Sequence, residues 1–259
     1  MTLASKPAFN RILVDLEPPL VRVTLNNPPL NVIDLEMMGE LLATLEQAET
    51  IPEVSTVVFD GSERSFSSGV DIAAHTSENV RNMLTAFHGV IRAVAATKKL
   101  TIGSVRRHCL GGGAELALLC DVVYATPDSV WGFPEIKLAC FPPVATVALA
   151  AIVGPKLAAE MVLTGRTITG QEALAAGLVN GVADDPETLV AECVARVTQL
   201  SPAALAMAKK SFYAWDSIHF DKGLARAEQV YLDELMKTAD AHEGIKAYTE
   251  RRRPQWTGK

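Results

Sequence analysis

Three consecutive glycines, Gly111-Gly112-Gly113, stand just ahead of Glu115, and a second glutamate, Glu135, follows 20 residues later. Both acids lie among apolar residues, where an ionised carboxylate is expensive unless something uses it. The glycines let backbone approach a ligand closely, and the apolar run after them reads as a buried helix. A chain with this segment must place a tight turn, a helix start and two acids near one another. Backbone N–H groups aimed at a developing oxyanion, with two carboxylates able to move protons, suit chemistry beside a carbonyl. Gly-Gly-Gly alone would equally serve a strand-to-helix turn. No Lys-Ser or Lys-Thr follows it, so it does not read as a nucleotide loop.

The rest of the chain repeats strand, strand and helix. Residues Ile12 to Leu16 and Leu20 to Leu25 alternate around Pro18-Pro19 as a hairpin, and Asp34 caps a helix carrying Leu35, Met38, Leu41, Leu42 and Leu45 on one face. Strands are expected over Val54 to Phe59, Leu100 to Val105 and Asp121 to Ala125, with a helix capped by Ser77 reaching Ala96. Thr169 and Glu172 form a capping box before a short helix ended by Gly177, and Val144 to Val153 reads as a buried helix. Ser201-Pro202 opens a further helix, and from Pro186 onward the pattern is almost wholly helical. The expectation is an α/β core over 1–200 and a helical region over 201–259.

Composition excludes more than it selects. A net charge of −6 argues against a nucleic-acid surface, and the longest apolar run is too short for a membrane span. The four cysteines, Cys109, Cys120, Cys140 and Cys193, lack CxxC spacing and read as free thiols of a reducing cytoplasm. No signal-peptide pattern is visible near the start, so a cytoplasmic protein is expected. His88, His108, His219 and His242 have neither metal-ligand spacing nor a nucleophile beside them, so no metal and no redox cofactor is expected.

Three further segments accompany the glycine run: Phe66-Ser67-Ser68-Gly69-Val70-Asp71, Leu163-Thr164-Gly165 and Gly177-Leu178-Val179. Together they resemble the enoyl-CoA hydratase/isomerase (crotonase) superfamily along nearly the whole chain. The resemblance implies a ββα spiral core whose helical C-terminal region trimerises, with trimers able to pair into hexamers. It implies an oxyanion hole of the Val70 and Gly112 N–H groups, with Glu115 and Glu135 as joint acid and base. An acyl-CoA thioester would be the substrate, and its CoA the only cofactor-like group. Asn31, Ser68, Asp71, Lys246 and Arg251 are candidates for contact with CoA, the last at the head of a basic run that also includes Arg252; Asp71 itself reads more as a brace for its own loop.

Departures from the family pattern concern the acyl pocket. Phe133 stands where the family commonly has glutamine, and Phe141-Pro142-Pro143 replaces a glycine-rich turn. Prolines lack N–H groups, so any donor that turn would offer is in question. With His75, Trp131, Phe133, Phe141 and Pro143 as pocket candidates, the region suggests a bulky acyl group. The pattern, including Leu84 to Gly89 and Tyr231 to Met236, is most similar to the cyclic dienoyl-CoA hydratases of anaerobic benzoyl-CoA breakdown. That branch implies water addition to cyclohexa-1,5-diene-1-carbonyl-CoA. A linear enoyl-CoA hydratase or isomerase is the alternative within the family, and a non-catalytic acyl-CoA-binding protein is the alternative outside enzymes.

Overall fold

The computed structural model describes residues 9–62, 64–213 and 216–258, and the side chains of 216–219, His219 among them, lie outside that description. The chain opens with the expected hairpin, β1 (Ile12–Glu17) and β2 (Leu20–Leu25), in antiparallel register from Ile12 opposite Leu25 to Glu17 opposite Leu20. Asp34 then caps α1 (Leu35–Glu49), accepting from the Met37 N–H at 2.8 Å. Its Met38, Leu41 and Leu45 face the core, as spacing of three to four residues requires.

From there the chain winds as a spiral. β3 (Thr56–Asp60) and β4 (Ser65–Ser67) precede α2 (Val80–Ala96); β5 (Leu100–Val105) and β6 (His108–Leu110) precede α3 (Gly112–Leu118). β7 (Val122–Ala125) and β8 (Val130–Gly132) precede α4 (Pro143–Val153) and α5 (Pro155–Thr164). The first strand of each turn joins a six-stranded sheet in the order β1-β2-β3-β5-β7-β10, parallel apart from the opening hairpin. The second joins a four-stranded sheet, β4-β6-β8-β9, where β9 is Thr167–Thr169 and β10 is Gly181–Val182. Two stacked sheets with helices returning along their sides are the ββα repeat legible in the sequence.

The capping box closes on both sides at α6 (Gly170–Ala175), with Thr169 and Glu172 each binding the other's backbone N–H. Helices then dominate: α7 (Pro186–Val197), α8 (Pro202–Tyr213), α9 (Asp216–Asp233) and α10 (Ala239–Thr249). Ser201 accepts from the Ala204 N–H at 3.3 Å at the head of α8.

Two expectations need correction. Ser77 does not cap α2, which starts at Val80 after a turn in which the Asn79 and Val80 N–H groups both bind the Thr76 carbonyl. That turn takes up the residues that side-chain spacing assigns to the helix. The apolar run 144–153 is a helix, but only its Pro143, Val144, Ala145 and Leu149 side is buried, and Ile152 is 40% exposed. Its composition is apolar all round, yet this chain covers one face only. All four cysteines are free and buried, and no described helix is long and apolar enough to cross a membrane.

Candidate active site

The site forms where the ends of β4 and β6 meet. After β4 the chain turns through Gly69, whose φ of 110° suits glycine. The neighbours of Val70 are tied down: the Gly69 N–H binds Ser67 Oγ at 3.1 Å, and the Asp71 N–H binds the Ile33 carbonyl at 3.1 Å. The Val70 N–H between them donates to no acceptor among the described residues. Across from it, the Gly111 N–H binds the Gly132 carbonyl at 2.9 Å, while the Gly112 N–H likewise has no described acceptor. A Cβ at Gly112 would lie 2.5 Å from Val70 Cγ2 and 3.1 Å from Phe87 Cζ, so a side chain there would have to displace both neighbours. Two free, adjacent N–H groups facing a cavity are the geometry an oxyanion needs.

Glu115 sits in the first turn of α3 and is 3% exposed. Its Oε1 accepts from the Val144 and Ala145 N–H groups at 2.8 and 3.0 Å. Those donors open α4, directly after Pro142 and Pro143. The prolines withhold their own donors, and the next two N–H groups of the same turn hold the carboxylate. Burial raises Glu115 to about 7, with the two N–H bonds pulling the other way.

Glu135 lies in a 3-10 turn, Pro134–Leu138, that follows β8. A Cβ on Gly111 would come within 2.5 Å of Glu135 Oε1, so the carboxylate packs against bare glycine backbone. Its Oε2 is buried with no described hydrogen-bond partner. Burial, then the neighbouring charge of Glu115, pushes Glu135 up to about 8. Two buried carboxylates that feel each other, both titrating near neutrality, hold one proton between them most readily around pH 7–8.

These groups line a compact cavity of about 70 Å³. Ser68, Val70, Gly112, Glu115 and Glu135 form one side; Phe141, Pro143, Leu84 and Phe87 supply apolar wall. His75 also lines it, its Nδ1 3.0 Å from the Asp71 carbonyl and its pKa lowered by burial. Trp131 and Phe133 do not. Both are about 1% exposed within the core, and Trp131 spends its indole N–H on Ser129 Oγ at 3.0 Å. Trp131 lies on β8, whose partner strands and the helices beyond enclose it; Phe133 precedes the turn that carries Glu135 and packs inward.

The candidates for CoA contact separate similarly. Asn31 is 1% exposed, and its side-chain amide is spent on the Ser65 and Phe66 carbonyls and the Asn27 N–H, so it braces β4 ahead of the turn at Gly69. Asp71 accepts from the Ala73 N–H at 3.0 Å and caps the 3-10 turn Ile72–Ala74, a bracing role. Lys246 on α10 and Arg251 after it are exposed and do not line the cavity. Arg252 is bound to Glu243 and Glu250.

Tyr231, Cys140 and His88 also line the cavity, outside the set of site residues that sequence reasoning supplies. Tyr231 from α9 meets Phe141 edge-on at 5.1 Å between ring centroids, and its hydroxyl sits beside the Cys140 thiol without a described oxygen or nitrogen partner. Burial, then Cys140 and both glutamates, pushes its phenol up. His88 from α2 is fully buried, with Nδ1 2.6 Å from Glu228 Oε1. Contacts spanning 140 residues leave no local signal. Among the described residues no cluster of His, Cys, Asp or Glu is arranged to hold a metal ion.

Comparison with known proteins meets this geometry. A model of the enoyl-CoA hydratase/isomerase family matches residues 17–259. The chain is 30% identical to the cyclohexa-1,5-dienecarbonyl-CoA hydratase of Thauera aromatica over 99% of each. It is 33% identical to the 2,3-dehydroadipyl-CoA hydratase of Escherichia coli, over 97% of this chain and 100% of that one. It superposes on the crystal structure of an enoyl-CoA hydratase from Mycobacterium avium subsp. paratuberculosis with a TM-score of 0.86 and 30% identity, covering 96% of this chain and 100% of that one. The fold and site thus define a crotonase-type protein. The chain belongs to the enoyl-CoA hydratase/isomerase family and is an enzyme of the hydro-lyase type.

Proposed function

We propose that this enzyme adds water to a conjugated acyl-CoA thioester with a compact acyl group, most specifically cyclohexa-1,5-diene-1-carbonyl-CoA. The observation that carries the reading is the pair of buried carboxylates beside two unengaged N–H groups in one small cavity. The Val70 and Gly112 N–H groups receive the thioester oxygen as it gains charge. Glu115, whose ionised form the Val144 and Ala145 N–H groups stabilise, takes a proton from water. The water oxygen bonds to carbon, and the π electrons move onto the thioester oxygen as an enolate. Glu135, the more strongly raised acid, returns a proton to carbon as the enolate collapses. Hydration of this kind needs acid, base and oxyanion donors, so the CoA of the substrate is the only nucleotide in the scheme.

The Phe141, Pro143 and Phe87 walls support a compact apolar acyl group. Turnover with cyclohexa-1,5-diene-1-carbonyl-CoA and crotonyl-CoA, offered separately and followed by product mass, tests this. Fast hydration of the ring ester alone is expected; preference for crotonyl-CoA would return the enzyme to linear-chain hydration. Ser68 lines the cavity where the pantetheine would enter, and the exposed Lys246 and Arg251 are the cations assigned to the CoA phosphates.

We also assign a homotrimer, with pairing into a hexamer as its extension. The support is uncovered apolar surface: Ile152 is 40%, Phe212 75% and Leu163 68% exposed. These positions lie on α4, α8 and α5, so the assigned interface reaches beyond 201–259. Sedimentation at micromolar concentration tests it, and a monomer would overturn it. Four buried free thiols support a reducing, cytoplasmic setting.

A further inference from the structure

Hydration by the two glutamates leaves two buried polar atoms in the cavity wall without work. His88 is fully buried and lines the cavity, yet its Nε2 has no described partner. Tyr231 is 1% exposed, lines the same cavity, and its hydroxyl is likewise unpartnered by oxygen or nitrogen. An apolar residue would fill either place without leaving a buried polar atom unsatisfied.

His88 is moreover held in a defined state. Glu228 Oε1 lies 2.6 Å from Nδ1, and Arg92 Nη2 donates to the same oxygen at 3.1 Å, so the carboxylate is held between two partners. A carboxylate can only accept, so Nδ1 carries the hydrogen. Burial lowers the imidazole pKa despite Glu228, leaving the ring neutral near pH 7. Nε2 is therefore an unsatisfied hydrogen-bond acceptor buried in the cavity wall.

Its charged neighbours differ from those of Tyr231. The charged neighbours of His88 are Glu228 and Arg92, whereas Tyr231 feels both Glu115 and Glu135. Glu228 and Tyr231 are three residues apart on α9, so they share a helix face about 5–6 Å apart at Cβ.

We propose that His88, set by Glu228 and Arg92, is a specificity-determining residue that accepts a hydrogen bond from a hydroxyl the acyl group already carries, so that hydroxylated acyl-CoA esters are among its substrates. The same oxygen accepts from Tyr231, so one substituent engages both wall atoms. This inference rests on the acyl-CoA reading of the cavity but not on catalysis, and binding alone can test it. Sites built to bind a substrate hydroxyl reject analogues lacking it far more strongly than apolar pockets reject a missing methylene.

The test uses calorimetric titration of the intact protein with saturated CoA esters that do not turn over. Butanoyl-, hexanoyl- and cyclohexanecarbonyl-CoA are compared with esters hydroxylated at each ring or chain position beyond the α-carbon, and with their methyl ethers. At least one hydroxylated ester is expected to bind tenfold or more tightly than its parent, and its methyl ether, which cannot donate, is expected to lose that gain. In His88→Leu the ratio should fall to within threefold, and in Tyr231→Phe it should fall partway. No hydroxyl preference in the wild type would overturn the proposal without any variant. An ether that binds as well as the alcohol, or a preference that survives in folded His88→Leu, would overturn it too. Failure to bind every CoA ester would instead bring down the acyl-CoA reading itself.

Discussion

Two parts of the cavity lining are built by different means. One is backbone: the turn at Gly69 and the Gly111–Gly113 run place two N–H groups side by side, with Glu115 following directly. The other is side chains from α2 and α9, where His88, Glu228 and Tyr231 meet only through tertiary packing. The glycine run leaves little room for an added atom, because a Cβ at Gly111, Gly112 or Gly113 would meet Glu135, Val70 or Ser67 at about 2.5 Å. Side-chain walls can be rebuilt, since a rotamer or a substituent alters one contact and not the chain path. The first wall therefore suits a reaction step shared by many substrates, and the second suits discrimination among them.

The largest effects should come from the carboxylates that the backbone wall positions. Glu115→Gln and Glu135→Gln are each expected to lower kcat by about 10²–10⁴, the usual range for a general acid or base. Steady-state hydration kinetics checks this, and near-normal turnover in either variant would remove the joint acid–base role. Next comes Gly112→Ala. Its Cβ would sit 2.5 Å from Val70 Cγ2 and 3.1 Å from Phe87 Cζ. Displacing either peptide of the oxyanion pair should cut kcat by about 10²–10³, with KM changing much less. An alanine variant as active as the wild type would show that the backbone wall is as tolerant as the other.

The same contrast decides which parts of the molecule are legible in the amino-acid sequence. Glycine positions, the Thr169–Glu172 box and the Asp34 cap act within a few residues, so their spacing in the chain is their spacing in space. The ββα order is legible for the same reason. Trp131 and Phe133 fall in the core and not in the pocket, because aromatic character predicts burial without saying which of the two receives the ring. His88 gives no sequence signal of its place in the wall, since Glu228 is 140 residues away. Pro142 and Pro143 correctly indicate missing donors, but residue types alone do not show that the next two N–H groups hold Glu115.

Smaller, and graded, is the response to pH. With Glu115 near 7 and Glu135 near 8, kcat/KM should be bell-shaped with its optimum between them. It should fall about tenfold per unit well outside that window, as measured by pH–rate profiles. Stability follows from the same shifts. Both folded values lie above the ordinary carboxyl value, so the folded chain holds more protons than the unfolded chain between about 4.5 and 8. Stability from this pair is complete below about 4.5 and declines as pH rises towards 8. Glu135→Gln should accordingly raise Tm at pH 8.5 and leave it nearly unchanged at pH 4.5. An equal shift at both values would mean that the carboxylate is not buried in the folded chain.

The smallest effect is expected from Tyr231→Phe in the ligand-free protein. The substitution keeps the ring, its edge-on contact with Phe141 and its place in the wall. It removes a buried hydroxyl that has no described oxygen or nitrogen partner, and such a group costs about 1–3 kcal/mol when left unpaired. The Cys140 thiol beside it offsets part of that cost as a weak partner. Tm should therefore stay level or rise by about 2–4 °C for each kcal/mol relieved. A scanning-calorimetry comparison at pH 7 resolves a shift of that size. A marked fall in Tm would mean that the hydroxyl is already engaged in the empty enzyme. The side-chain wall would then be as firmly committed as the glycine wall, and discrimination among acyl groups would have to come from elsewhere in the cavity.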